Sequence, residues 1–293
     1  MKQSLQRLIP IIFVFVWSTG FIVARYAMPY SEPMTFMFLR FCGVLTIMVP
    51  VALLARVTWP SRQQCVHIAI AGTMLQAGYL GGVWAAVKLG MSASLVALIM
   101  GLQPIFTAWF SALVAERVSA RQWLGLMAGL TGVGMVVMAK FSLIGLSMLS
   151  LGLSVLALAS ITIGTLYQKR FCPSFDLRVG STIQFAAAAL VCLPFMFAFE
   201  TREIEWVAPM IGALLWSIFA LSIGAISLLF IMIRDVAATK VTSLLYMTPP
   251  TTAVMAWFLF DEAITPMTVA GTLVTVVALL LVIKSPNKDP RTV

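Results

Sequence analysis

The chain has 293 residues, of which 61% are apolar and 10% charged, with a formal net charge of +9. An ordinary soluble domain carries about 25% charged residues, and a mean hydropathy of +1.03 describes a surface that water cannot hold. A soluble enzyme, a disordered chain and a disulfide-stapled secreted scaffold are therefore excluded, and a multi-spanning helical membrane protein is left.

Crossing the hydrocarbon takes about 20 apolar residues. Stretches free of Lys, Arg, Asp and Glu mark ten spans. The runs are too long and too continuously apolar for a transmembrane barrel, whose strands alternate polar and apolar positions. Span 1 (8–24) follows Lys2 and Arg7, as a signal peptide would, but no small-x-small cleavage site succeeds it, so it reads as a true span. It carries Trp17 and Ser18 far from either interface, where Trp usually anchors. Span 2 (33–55) must reach back to Pro33 to be long enough, which brings Arg40 about 10 Å into the apolar layer at the helical rise. Arg40 either snorkels and pairs with helix carbonyls or binds a substrate carboxylate.

Span 3 (63–87) offers Gln76 and Tyr79, three apart on one face. Gln103 stands directly before Pro104 in span 4 (89–115), where the missing N–H frees a carbonyl and favours a local distortion. Span 5 (122–139) carries Gly125-x-x-x-Gly129, and span 3 carries Gly78-x-x-x-Gly82; both read as close helix contacts. Span 6 (141–168) brings Thr162 and Thr165, and spans 7 (179–199) and 8 (206–233) follow. Span 9 (241–260) holds Tyr246, Thr248 and Pro250, and span 10 (263–283) closes the set. Glu116 and Glu262 end spans 4 and 9 and read as structural groups that tie down turns, with gating as the lesser role.

With the N-terminus inside, only Arg25, Lys88, Lys140 and Arg202 among the loop cations fall outside. That bias sets both termini in the cytoplasm. The basic residues are thus dispersed topology determinants and lipid anchors, with no patch for nucleic acid. An offset of 146 lays Pro104 on Pro250, Glu116 on Glu262 and Gly125 on Gly271, and an offset of 144 lays Gly20 on Gly164 and Arg40 on Gln184. Five spans is an odd number, so a tandem copy enters the membrane from the opposite face. The expected fold is all-α, ten transmembrane helices as two inverted five-helix repeats, 1–140 and 141–293, an arrangement common in secondary transporters.

The chain resembles the drug/metabolite transporter superfamily in its EamA-like branch. The likeness is carried by residues 17–25 (WSTGFIVAR), Pro33 with Leu39-Arg40-Phe41, Pro104 with Ala115-Glu116-Arg117 and Trp123-Leu124-Gly125, and Tyr246 with Pro250, Glu262 and Gly271. It implies a central cavity lined mainly by helices 1, 3, 4, 6, 8 and 9, in a bacterial inner membrane, and export or exchange of small metabolites such as amino acids. The chain departs from it at Ile161, where an aromatic residue would match Trp17.

The polar candidates are neutral, aromatic, hydroxyl- or amide-bearing, which suits a small neutral or zwitterionic solute. Each has packing or interhelical hydrogen bonding as its rival role. All carboxylates fall at span ends or in loops, so no intramembrane proton relay is expected. A passive channel and a drug efflux permease are the alternatives. An intramembrane enzyme is the weakest reading, because His67 is the only His and the four cysteines (Cys42, Cys65, Cys172, Cys192) are scattered. No metal and no cofactor is expected. The expected partners are a small-molecule substrate and membrane lipid, with monomer and homodimer both open.

Overall fold

The computed structural model describes residues 2–55, 57–91, 96, 99–111, 118–138, 147–235, 238–260 and 264–283, and every regular element among them is helical. In chain order these are α1 (Lys2–Ala27), α2 (Pro33–Leu54), α3 (Arg62–Lys88), α4 (Gln103–Trp109), α5 (Ala120–Met138), α6 (Met148–Phe171), α7 (Leu177–Phe199), α8 (Ala208–Arg234), α9 (238–260) and α10 (Pro266–Ile283). Among the described residues, α2, α3, α6, α7, α8 and α10 are long and apolar enough to cross a membrane. The other four overlap the remaining predicted stretches, with α4 inside 89–115 and α1, α5 and α9 starting a few residues ahead of 8–24, 122–139 and 241–260.

The local chemistry explains where the helices begin. Pro33 occupies the first turn of α2, where its missing N–H costs nothing. Ser61 and Gln64 form a capping box on α3, and Ser147 and Ser150 form one on α6. Asp176 accepts the Arg178 amide at the head of α7 (2.9 Å), and the Arg178 guanidinium beside it holds its carboxyl below the ordinary aspartate range. Two spans change gauge in mid-course. α3 passes through a π-helical stretch at Thr73–Gly78, and α8 through one at Ser217–Ala225. Such turns loosen the hydrogen-bond ladder and often mark functional positions.

Many large side chains point outward. Leu190, Phe195, Phe197 and Phe199 of α7 and Leu273, Val277 and Leu280 of α10 are exposed, as lipid requires of a multi-pass membrane protein. Inside, small residues let backbones meet. A Cβ on Gly132 of α5 would stand 2.8 Å from the Gly271 carbonyl of α10, and one on Gly271 would stand 2.6 Å from the Gly132 carbonyl. Gly82 of α3 faces the Leu153 carbonyl of α6 in the same way, at 2.8 Å. α2 packs along α7, with Phe41 and Phe185 5.7 Å apart. α1 is tied to α9 by Thr252 Oγ1, which donates to the Ser18 carbonyl (3.2 Å), and to α8 by Trp216 Nε1, which donates to Thr19 Oγ1 (2.8 Å).

Two carboxylates join the α1–α2 turn to the α7–α8 loop by reaching past each other. Glu32 does not cap its own helix. Its Oε2 accepts from the Thr201 amide (2.6 Å), the Thr201 hydroxyl (3.0 Å) and the Arg202 amide (3.1 Å). Glu200 returns across the gap. Its carboxylate takes the Met34 amide (2.6 Å), the Thr35 amide (2.7 Å) and the Thr35 hydroxyl (2.7 Å), the unpaired donors at the head of α2. The Glu205 amide donates to the Tyr30 carbonyl beside them (3.0 Å). Arg202 sits at φ 66, a left-handed conformation uncommon for a residue with a Cβ, and its guanidinium lies 4.9 Å from the Phe197 ring.

Gly132→Leu should destabilise the detergent-solubilised protein by about 1–3 kcal/mol, because the α5–α10 backbones must separate; an unchanged thermal midpoint would contradict this close contact. Glu200→Gln should remove about 1.5–3 kcal/mol of charge-assisted hydrogen bonding. Hydrogen exchange at Met34 and Thr35 is then expected to quicken, and unaltered exchange would mean that the clamp does not hold the head of α2.

Candidate functional site

A cavity of about 50 Å³ lies between α1, α2, α3 and α8, walled by Trp17, Arg40, Tyr79 and Leu221 among others. Three of the residues singled out in the sequence therefore meet here. Trp17 and Tyr79 stack with ring planes 5° apart and centroids 6.2 Å apart, and Phe13 backs Trp17 at 5.1 Å. The rings are stabilised by burial and by their offset stacking. Arg40 is 3% exposed, and its Nε donates to Ser222 Oγ at 2.7 Å. Ser222 belongs to the π-helical stretch of α8, so this hydrogen bond crosses from the first half of the chain to the second. Among the described residues it is the only hydrogen bond of the guanidinium. Leu75, Leu80 and Val83 from α3 and Ile226 from α8 complete an apolar wall.

Gln76 lies one turn before Tyr79 within the π-helical stretch of α3. It is fully buried, and neither its Nε2 nor its Oε1 has a hydrogen-bond partner among the described residues. The hydroxyls of Thr162 on α6 and Thr248 on α9 are likewise buried and unpartnered. Buried polar atoms in this state are costly unless something completes them.

The other candidates are placed differently. The Ser18 hydroxyl turns back to the Val14 carbonyl (2.6 Å), and that of Thr165 to the Ile161 carbonyl (2.7 Å), so both are spent on their own helices. Gln103 and Pro104 are buried at the head of α4, directly after a turn at Gly101–Leu102. Tyr246 joins a separate apolar cluster with Leu126, Val133 and Val282. Its hydroxyl donates to the Leu126 carbonyl (3.0 Å), and its ring covers Gly129. Pro250 is buried within α9. Glu116 and Glu262 lie outside the described residues.

Sequence reading passed over Ser222, whose only signal was a hydroxyl, one of three in span 8 with Ser217 and Ser227. It also passed over the crossing of Glu32 and Glu200, for which the signal was a carboxylate abutting Pro33 and another directly after span 7.

A second cavity, of about 100 Å³, lies at the α6–α7 turn against the end of α8. Lys169 Nζ donates to the Ile233 carbonyl there (2.7 Å), tying α6 to α8. Burial pushes the Cys172 thiol up to about 11, which keeps it protonated and unreactive at neutral pH. Among the described residues no group of His, Cys, Asp or Glu is placed to hold a metal ion.

Comparisons with known proteins agree on one family. The chain is 27% identical over 282 residues to an uncharacterized transporter, YvbV, of Bacillus subtilis (strain 168), covering 92% of this chain and 88% of that one. It is 24% identical over 271 residues to an uncharacterized inner membrane transporter, YedA, of Escherichia coli (strain K12), covering 91% and 87%. A solved structure titled only as the crystal structure of a protein shares the fold, with a TM-score of 0.77, 18% identity and 94% coverage of both chains. The EamA-like transporter family matches residues 8–138 and again 148–284. The chain belongs to the EamA-like transporter family, as a multi-pass membrane transporter.

Proposed function

We propose that the chain is a secondary transporter that moves a small, partly apolar metabolite, an amino acid or a related compound, by alternating access around the Trp17–Arg40–Tyr79 cavity. The observation that carries this reading is a buried cation beside an aromatic stack, on walls contributed by both halves of the chain. The apolar faces suit the body of the solute, and the guanidinium suits a carboxylate. A cationic drug is a poor fit next to Arg40, and a sugar phosphate would want several basic residues.

Alternating access needs two units that can exchange conformations. We take these to be 1–140 and 141–293, ten transmembrane helices as inverted five-helix repeats with both termini cytoplasmic in a bacterial inner membrane. Three observations support it. The family match falls in two consecutive segments. The π-helical stretches begin 144 residues apart, at Thr73 and Ser217, the same offset that relates Arg40 to Gln184. The packing pairs the halves reciprocally: α2 with α7, α5 with α10, α1 with α8, and α3 with α6. The π-helical stretches are the natural places for the helices to bend. In this topology the crossing of Glu32 and Glu200 ties the α1–α2 turn to the α7–α8 loop on the outer face. Among the described residues no carboxylate lines this cavity, and we read export or exchange as running down the gradient of the solute itself.

Counterflow into proteoliposomes with a panel of amino acids and related acids tests the reading. Saturable exchange is expected, lowered about 10-fold or more by Trp17→Ala, a loss that corresponds to roughly 1.4 kcal/mol of binding. The folded protein should survive that change. Unitary conductance steps in place of saturable exchange would sink the alternating-access mechanism.

A further inference from the structure

We propose that the cavity prefers a carboxylate without a neighbouring ammonium group, an apolar monoanion over a zwitterion, and that Arg40 sets this preference. The proposal rests on the cavity being the transport site, as argued above, and narrows what enters it.

Arg40 is 3% exposed and lies in the first half of an apolar span. A guanidinium offers five N–H donors in a fixed fork. Only Nε is engaged among the described residues, on the uncharged oxygen of Ser222. No described carboxylate reaches it. Glu32 and Glu200 are committed to the loop and to the head of α2, and Asp176 is paired with Arg178 at 2.7 Å. Burying a charge without a counter-charge is unfavourable, and the cost is relieved by a ligand that supplies one. Ser222 orients the fork from behind and leaves its outer edge for a bidentate acceptor.

The remaining walls decide what accompanies that acceptor. Trp17, Tyr79, Leu75, Leu80, Leu221 and Ile226 include no acidic side chain. An α-ammonium is held two bonds from its carboxylate carbon, so a zwitterion seated on Arg40 brings a second cation close to the first. In a dry, low-dielectric site that repulsion is poorly screened. The net charge of the site is positive, and a monoanion with an apolar tail cancels it where a zwitterion does not.

The test uses purified full-length protein at neutral pH and isothermal titration with three compounds on one carbon skeleton: isocaproate, leucine and isoamylamine. Isocaproate should bind about 10-fold or more tightly than leucine, with isoamylamine weakest. Arg40→Gln should weaken isocaproate about 10- to 100-fold and leucine by a smaller factor, so that the preference between them shrinks, and Arg40→Lys should recover part of the loss. Should Arg40→Gln fail to fold, Ser222→Ala serves instead, because freeing the fork should weaken isocaproate selectively. Equal or tighter binding of leucine overturns the proposal, as does an equal loss for all three compounds, or competition by chloride as strong as by isocaproate. The underlying reading fails separately. If solutes exchange with Trp17 dependence but show no preference for anions, the transport site stands and the charge selection falls; if exchange ignores Trp17→Ala, the site itself falls.

Discussion

A guanidinium in hydrocarbon must be answered by something, and the centre of this protein is organised around how Arg40 is answered. Its backbone position is imposed by α2, which starts at Pro33 and can place residue 40 nowhere but inside the apolar layer. Its side chain is buried and is held by Ser222 from the second half of the chain. That hydrogen bond links α2 to α8 beside the cavity, where Gly43 also packs against Ile218. It also places the gauge change of α8 at the cavity wall, because Ser222 lies within the π-helical stretch. Trp17 and Tyr79 stack on the cavity wall beside it, and their apolar faces make the charge more demanding of a partner.

The membrane fold was legible from composition because lipid tolerates few alternatives. Once charge is so scarce, helices are the only way to satisfy a backbone in long apolar runs. A boundary was legible where a proline marked it, as at Pro33, whereas the capping box of Ser61 and Gln64 emerged only in the structure. The change of gauge within α3 and α8 was not legible either, because Thr73–Gly78 and Ser217–Ala225 contain no proline and no charge; tertiary packing alone decides there. In the site, Trp17, Arg40 and Tyr79 stood out as polar or amphipathic groups that lipid would reject, and they share one cavity. Tyr246 stood out for the same reason, yet its hydroxyl is answered by a neighbouring helix carbonyl and its ring by Gly129. Periodicity cannot separate these two outcomes, since both put an aromatic residue on a buried face. Ser222 was silent because one hydroxyl in a span is as often bonded to its own helix, as Ser18 is.

The two ends of the bundle solve the same capping problem in opposite ways. At an offset of 144, Asp176 corresponds to Glu32. Asp176 caps its own helix and pairs with its own neighbour, Arg178, so α7 begins without help from the other half. Glu32 abandons its helix for residues 201 and 202, and α2 borrows its cap from Glu200. The cap of α2 is therefore borrowed across the halves, while the cap of α7 is local.

The borrowed cap also sets an order of events in the life of the chain. A polypeptide leaves the ribosome from its N-terminus, so α2 enters the bilayer long before Glu200 has been made. The Met34 and Thr35 amides must then be satisfied by water at the membrane surface until α7 is threaded and its trailing carboxylate arrives. The head of α2 is thus among the last pieces of the first half to settle, and a half-length product would carry a frayed helix end that quality-control proteases can recognise.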